Sequence, residues 1–129
     1  MAKTLGDYVA EARRRIQEVD AETLDDWTRT RDELLIVDVR EPEEYRDGHI
    51  PGAILVPRGM LEGAADPGYR HRHPALCDAR ARPVVLYCAS GGRSAMATAT
   101  LQDMGFEEVY NLAGGFEVWE AEDLPVDEG

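Results

Sequence analysis

Lysine is almost missing from this 129-residue chain. Lys3 is the one example, and arginine carries the rest of the basic charge. Beyond Arg93 neither basic residue occurs, while Asp103, Glu107, Glu108, Glu117, Glu120, Glu122, Asp123, Asp127 and Glu128 follow. The formal net charge is −12, which excludes a nucleic-acid partner held by neutralising its phosphates. Cysteine is scarce too, with only Cys77 and Cys88. The opening Met1-Ala2-Lys3-Thr4-Leu5 has none of the apolar run of a signal peptide. Together these lead to an expectation of free thiols in a reducing cytoplasm. No stretch approaches the roughly 20 apolar residues of a membrane span, so no membrane association is expected. Internal repeats and low-complexity tracts are lacking. The length suits one domain, 1–129, able to bury most of its apolar surface without staples.

What is present concentrates in Val84-Val85-Leu86-Tyr87-Cys88-Ala89-Ser90-Gly91-Gly92-Arg93-Ser94. The continuous apolar run, opened by Pro83, reads as a buried strand. It ends on a cysteine, crosses two glycines and enters an alanine-rich helix expected from Ser94 to Met104. A thiol at the carboxyl end of a parallel strand, facing a helix amino terminus, lies where open α/β sheets bind ligands. Free N–H groups of the turn and of the first helical turn converge there on negative charge, and Arg93 adds a full positive one. All of this favours thiolate over thiol and predicts a Cys88 pKa below the ordinary value of about 8.5. A core cysteine closing a strand is the plainer alternative, but such a position needs neither the glycines nor the arginine.

The loop Cys88-Ala89-Ser90-Gly91-Gly92-Arg93-Ser94 resembles the active-site loop of the rhodanese (sulfurtransferase) family. Two further stretches are similar to that family. One is Val37-Asp38-Val39-Arg40-Glu41-Pro42-Glu43-Glu44-Tyr45 with Gly48-His49-Ile50-Pro51-Gly52-Ala53; the other is Asn111-Leu112-Ala113-Gly114-Gly115-Phe116 with Trp119. The matches run from about Leu34 to Pro125. The resemblance implies an α/β fold in three layers, with a central parallel sheet of about five strands and helices on both faces.

The residues supply the frame for that expectation. Leu5, Val9, Ala12, Ile16 and Val19 recur at helical spacing and predict a helix from Thr4 to Glu18. Asp20 can cap a second helix holding Leu24 and Trp27. Strands are expected at Leu34–Val37, Ala53–Val56 and Val109–Tyr110 besides the one before Cys88. Pro42 opens a short helix through Arg46, ended by Asp47-Gly48. Residues 57–83 read as loop with one helical turn near Leu76, Gly105 stops the long helix, and a last helix runs from Phe116 to Ala121. Residues 1–30 then form an amino-terminal helical extension, 31–126 the core and 127–129 an acidic tail.

Several side chains carry two readings. Asp38 ends a buried strand, so its carboxylate must be paired with Arg40, with N–H groups near His49 or with the active loop. Asp38 and Arg40 are therefore supporting residues beneath the loop, with substrate contact the alternative. His49 invites a general-base role, but a stabilised thiolate has little need of one; packing and a backbone hydrogen bond are expected. His71 and His73 lack further ligands, so no metal is expected. Gly114-Gly115 suits a tight turn close to another backbone, with Phe116 and Trp119 in the core. Cys77 reads as an incidental loop cysteine. Arg58, Arg70, Arg72, Arg80 and Arg82 form a basic stretch that either guides anions or is plain solvated surface.

The resemblance implies a mechanism. Thiolate Cys88 takes the outer sulfur of a small anionic donor such as thiosulfate, and a cyanide or thiol acceptor removes it in a second half-reaction. The N–H groups from Ala89 to Ser94 hold the terminal sulfur as an oxyanion hole holds oxygen. No metal or organic cofactor is required. The family's two-domain thiosulfate enzymes carry a cation two residues after the cysteine, where this chain has Ser90. A persulfide-donating protein is thus a second candidate donor. A non-catalytic binding module and a phosphatase or arsenate reductase of the same fold are the rival functions. The resembled phosphatases place five residues between cysteine and arginine, whereas Ala89, Ser90, Gly91 and Gly92 alone separate Cys88 from Arg93.

Overall fold

A computed structural model describes residues Met1–Gly129. Its centre is a pair of strands, β2 (Leu35–Asp38) and β4 (Pro83–Tyr87), buried at every position. Strands covered on both faces carry no polar alternation, which is why both sequences are apolar throughout until Asp38. With β1 (Gln17–Val19), β3 (Ile54–Leu55) and β5 (Glu108–Leu112) they make one five-stranded parallel sheet in the order β1-β5-β4-β2-β3. The register sets Asp38 opposite Tyr87, so Asp38 and Cys88 share one end of the sheet.

The two-residue period of a strand sends alternate side chains to opposite layers. Leu35, Val37, Val84, Leu86 and Cys88 face one core, completed by α4 (Leu61–Ala65), α5 (Pro74–Cys77) and α6 (Gly92–Asp103). Ile36, Val85 and Tyr87 face the other, against α2 (Ala21–Thr30) and α7 (Gly115–Ala121). Helix α1 (Leu5–Arg15) lies outside this sandwich on α6, where Ala12 meets Ala95 and Ala99. Thr4 and Asp7 close a reciprocal capping box on α1, and the Asp20 carboxylate accepts from Thr23 N–H at 2.7 Å on α2. Each such cap contributes about 1 kcal/mol. The short α3 (Pro42–Asp47) begins with Pro42, as its sequence predicts.

The amino-terminal region departs from the expected all-helical extension. Helix α1 stops at Arg15, and residues 17–19 leave it to become the edge strand β1, paired with β5. Only Val19 of that strand is buried, so it shows no alternation to read, and Ile16 and Val19 mimic a continued helical stripe. Residues 17–19 therefore add an edge strand to the sheet, while α1 packs outside it on α6. The carboxyl end is tied down as well: His49 and Asp127 exchange backbone hydrogen bonds at 2.8 and 2.9 Å, and Gly129 N–H reaches Arg46 O. The expected loop before β4 holds a 3₁₀ turn, Arg58–Met60, running into α4, and then α5 near Leu76.

Candidate active site

Strand β4 delivers Cys88 to the end of the sheet, and the chain then curls around its sulfur. Gly91 adopts φ +104° as the cap of α6, a left-handed conformation favoured by glycine. That turn aims the Gly91 N–H at Cys88 Sγ (3.1 Å), while the Ser94 N–H approaches at 3.4 Å and the Ser94 hydroxyl at 3.3 Å. Cys88 itself is only 1% exposed. Burial pushes its thiol up, but hydrogen bonds from the Ser94 hydroxyl and from the Ser94, Gly91 and Ser90 N–H groups outweigh burial and leave it below the ordinary value. The amino end of the twelve-residue α6 points the same way.

The Ser94 hydroxyl has a second partner, the Asn111 side-chain oxygen at 2.5 Å. One hydroxyl carries one proton, so Ser94 donates to Asn111 or to the thiolate and not to both. Asn111 is fully buried on β5 and anchored by donating to Glu18 (2.7 Å) and to Gly91 O (3.1 Å). The network links edge strand β1 through β5 to the cysteine loop. Sequence reasoning gave Asn111 and Glu18 no role. An asparagine inside the apolar Val109–Leu112 run was the available signal, because a buried amide needs partners; Glu18 carried no signal.

Arg93, expected to bring a full positive charge to the loop, has an acidic partner: its guanidinium forks onto the Glu44 carboxylate at 3.1 and 3.3 Å. The Arg93 hydrogen bond holds Glu44 below the usual carboxylate range. Glu44 also accepts from Glu41 N–H, so α3 and the active loop are joined through it. Arg93 is thus paired before any ligand arrives, and the lowered Cys88 thiol owes more to hydrogen bonds than to this charge.

Asp38 and Arg40 stand together beneath the site. Arg40 Nε and Nη2 donate to the Asp38 carboxylate at 2.8–3.2 Å, and the Arg40 backbone N–H donates at 2.9 Å. Arg40 also reaches Gly48 O at 2.6 Å and lies 4.4 Å from the Phe116 ring centroid. Both residues are buried and neither bonds the cysteine loop, which places them as supports between β2, the end of α3 and α7. His49 stacks on Tyr45 and its Nδ1 bonds Tyr45 O at 2.9 Å, the packing and backbone contact expected of it. The Tyr87 hydroxyl, pushed up by burial, accepts from Ile50 N–H.

The Gly114-Gly115 turn holds the loop from behind. Phe116 N–H donates to Cys88 O at 2.8 Å and Glu117 N–H to Ala89 O at 3.0 Å. A side chain on Gly115 would meet both of those oxygens at 2.6 Å. Ala89 is half-buried under this clamp, Ser90 is exposed on the rim, and Gly92 starts α6 against Val9. Cys77 is a free thiol donating to Ala64 O at 3.3 Å, outside the active loop. Arg80 and Arg82 of the basic stretch are spent on backbone carbonyls: Arg80 on Ala65, Cys77 and Met104, and Arg82 on Glu33.

The fold is a three-layer α/β sheet of the class that presents a cysteine at the carboxyl end of a central parallel strand, here inside a ring of N–H donors. Within that class, the family model for the Rhodanese-like domain matches residues 20–122, and the chain belongs to that family. It is 34% identical over 111 residues to a sulfurtransferase of Allochromatium vinosum, covering 86% of this chain and 94% of that one. It is 31% identical over 96 residues to the thiosulfate sulfurtransferase GlpE of Pseudoalteromonas translucida, covering 70% and 77%. Among solved structures, a protein of unknown function from Rhodopseudomonas palustris, described as a possible tyrosine phosphatase, superposes with TM-score 0.91 at 33% identity, covering 98% of this chain and 96% of that one. No helix is long and apolar enough to cross a membrane.

Proposed function

We propose that the protein is a sulfurtransferase that carries a sulfane sulfur as a persulfide on Cys88. The observation that supports this best is the convergence of Gly91 N–H, Ser94 N–H and the Ser94 hydroxyl on Cys88 Sγ. In the first half-reaction the Cys88 thiolate attacks the outer sulfur of thiosulfate. The S–S bond of the donor breaks, sulfite leaves with its electron pair, and the new persulfide sulfur takes the anionic position facing the loop donors. In the second, cyanide or a thiolate attacks the terminal sulfur and Cys88 leaves as thiolate. Ala89 to Ser94 supply the cradle, while Asp38 and Arg40 brace β2 against Gly48 at the end of α3.

The phosphatase description of one structural neighbour supports a second reading less well. A phosphate cradle needs its arginine directed at the tetrahedral anion, and Arg93 is committed to Glu44. A binding module without chemistry would have no use for a thiol kept below its ordinary pKa. The test is the protein's mass after thiosulfate and then after cyanide. One added sulfur on the Cys88 peptide, removed by cyanide and absent in Cys88→Ser, is the expected result. Sulfur found only on Cys77, or on neither thiol with any donor, overturns the proposal.

A further inference from the structure

The rim of the active loop is not made by the loop alone. An open groove of about 740 Å³ runs between α1 and the loop, bounded by Val9, Ala10, Arg13 and Arg14 on one side and Ser90 and Gly92 on the other. Helix α1 lies ahead of the residues that the family model matches, yet it is fixed in place. Ala12 packs on Ala95 and Ala99 of α6, and Val9 would lie 3.5 Å from a side-chain carbon on Gly92.

The charges around the loop are unevenly engaged. Arg93 is paired with Glu44 and Arg40 with Asp38, so neither offers an uncommitted charge. Ser90 is neutral. Arg13 has one acidic neighbour, Glu18, at 3.9 Å, and Glu18 is already held at 2.7 Å by Asn111. Its Nη2 stands 3.2 Å from where a Gly91 side chain would begin, a point 3.6 Å from Gly114 N and Leu112 O, so it flanks the turn whose N–H points at Cys88. Arg14, exposed on the same groove, makes no ion pair within 4.0 Å. On a protein of net charge −12, the general field repels anions, and local cations must reverse it at the site.

We propose that Arg13 and Arg14 form an anion subsite at the mouth of the Cys88 loop, which receives the sulfonate or carboxylate of the small sulfur compound reacting there. The subsite supplies, from a helix outside the loop, positive charge that the neutral Ser90 and the paired Arg93 do not. It rests on Cys88 being the reacting thiol, but it can be tested without any sulfur transfer.

The test compares alkylation of Cys88 by iodoacetate, which carries a carboxylate, with alkylation by neutral iodoacetamide. Both reactions are followed on the Cys88 peptide by mass spectrometry at one pH. The neutral reagent reports thiol ionisation and access in each variant, so the ratio of the two rates reports the subsite. Two charges a few ångströms from the carboxylate in a largely aqueous groove predict a ratio about five- to tenfold lower in Arg13→Gln/Arg14→Gln than in wild type. Raising salt should shrink the wild-type ratio toward that of the variant. Arg14→Gln alone, which removes no contact of the fold, should give a smaller drop in the same direction, and Arg13→Lys/Arg14→Lys should keep most of the ratio. An equal ratio in wild type and both glutamine variants overturns the proposal. Failure of persulfide formation would leave the ratio untouched, so the two ideas fail separately.

Discussion

Replacing Gly115 with alanine should unfasten the active loop from behind. Gly115 sits at φ +63°, where an L-residue with a side chain costs about 1–2 kcal/mol. The added carbon would stand 2.6 Å from both Cys88 O and Ala89 O, and ordinary contact begins near 3.4 Å. Backbone on either side must therefore part, and the Phe116 and Glu117 N–H bonds to those oxygens are lost or stretched. At about 1 kcal/mol each, with about 0.4–1 kcal/mol regained from a stiffer unfolded chain, the net loss is about 2–4 kcal/mol. Gly105→Ala is the control, because Gly105 also has positive φ (+91°) but nothing within 4 Å; it should lose no more than about 1.5 kcal/mol. Urea unfolding followed by tryptophan fluorescence reports both, since Trp119 is buried on α7 next to the altered turn. Alkylation of Cys88 gives a second readout, because a displaced loop loosens the N–H ring around the sulfur. If Gly115→Ala is no less stable than Gly105→Ala, the close approach of α7 to the loop is not what holds the site.

Ser94→Ala should raise the Cys88 thiol pKa more than Arg93→Ala does if the single Ser94 hydroxyl proton turns from Asn111 to the thiolate, since Arg93 is paired with Glu44; alkylation rate against pH measures both, and the reverse order would refute the hydrogen-bond account. A thiol lowered by folding adds stability fully present above its unfolded pKa and lost as pH falls through the folded one, so wild type should gain on Cys88→Ala as pH rises through that window in urea titrations. Asp38→Ala leaves the buried Arg40 guanidinium unpaired and should cost about 3–5 kcal/mol by chemical unfolding; a loss under 1 kcal/mol would mean that Arg40 finds water. Ser90→Lys places a cation on the exposed rim within about 4 Å of a bound dianion, worth roughly 1–4 kcal/mol, or about fivefold and upward in kcat/KM for thiosulfate. An unchanged value in the folded variant would move donor choice away from this position.

Local chemistry was legible in the sequence by itself. The apolar runs of β2 and β4, the Asp20 cap, the proline opening α3 and the Cys88–Ser94 loop each depend on residues within a few positions of one another. A strand that must be buried on both faces, or a turn that must accept positive φ, writes its requirement into neighbouring residue types. The need of Asp38 for a partner was readable too, because Arg40 stands two residues away. Tertiary structure alone decided what connects distant segments. Strand β1 has three residues, two of them exposed, and only pairing with β5 makes it a strand. Arg93 finds Glu44 across 49 positions, Ser94 finds Asn111 across 17 and Asn111 finds Glu18 across 93. Those pairings follow from strand order and helix placement, which no local pattern contains. The same holds for Arg13 and Arg14: in the sequence they are two of three consecutive arginines, and they border the thiol loop only because small alanines let α1 settle on α6.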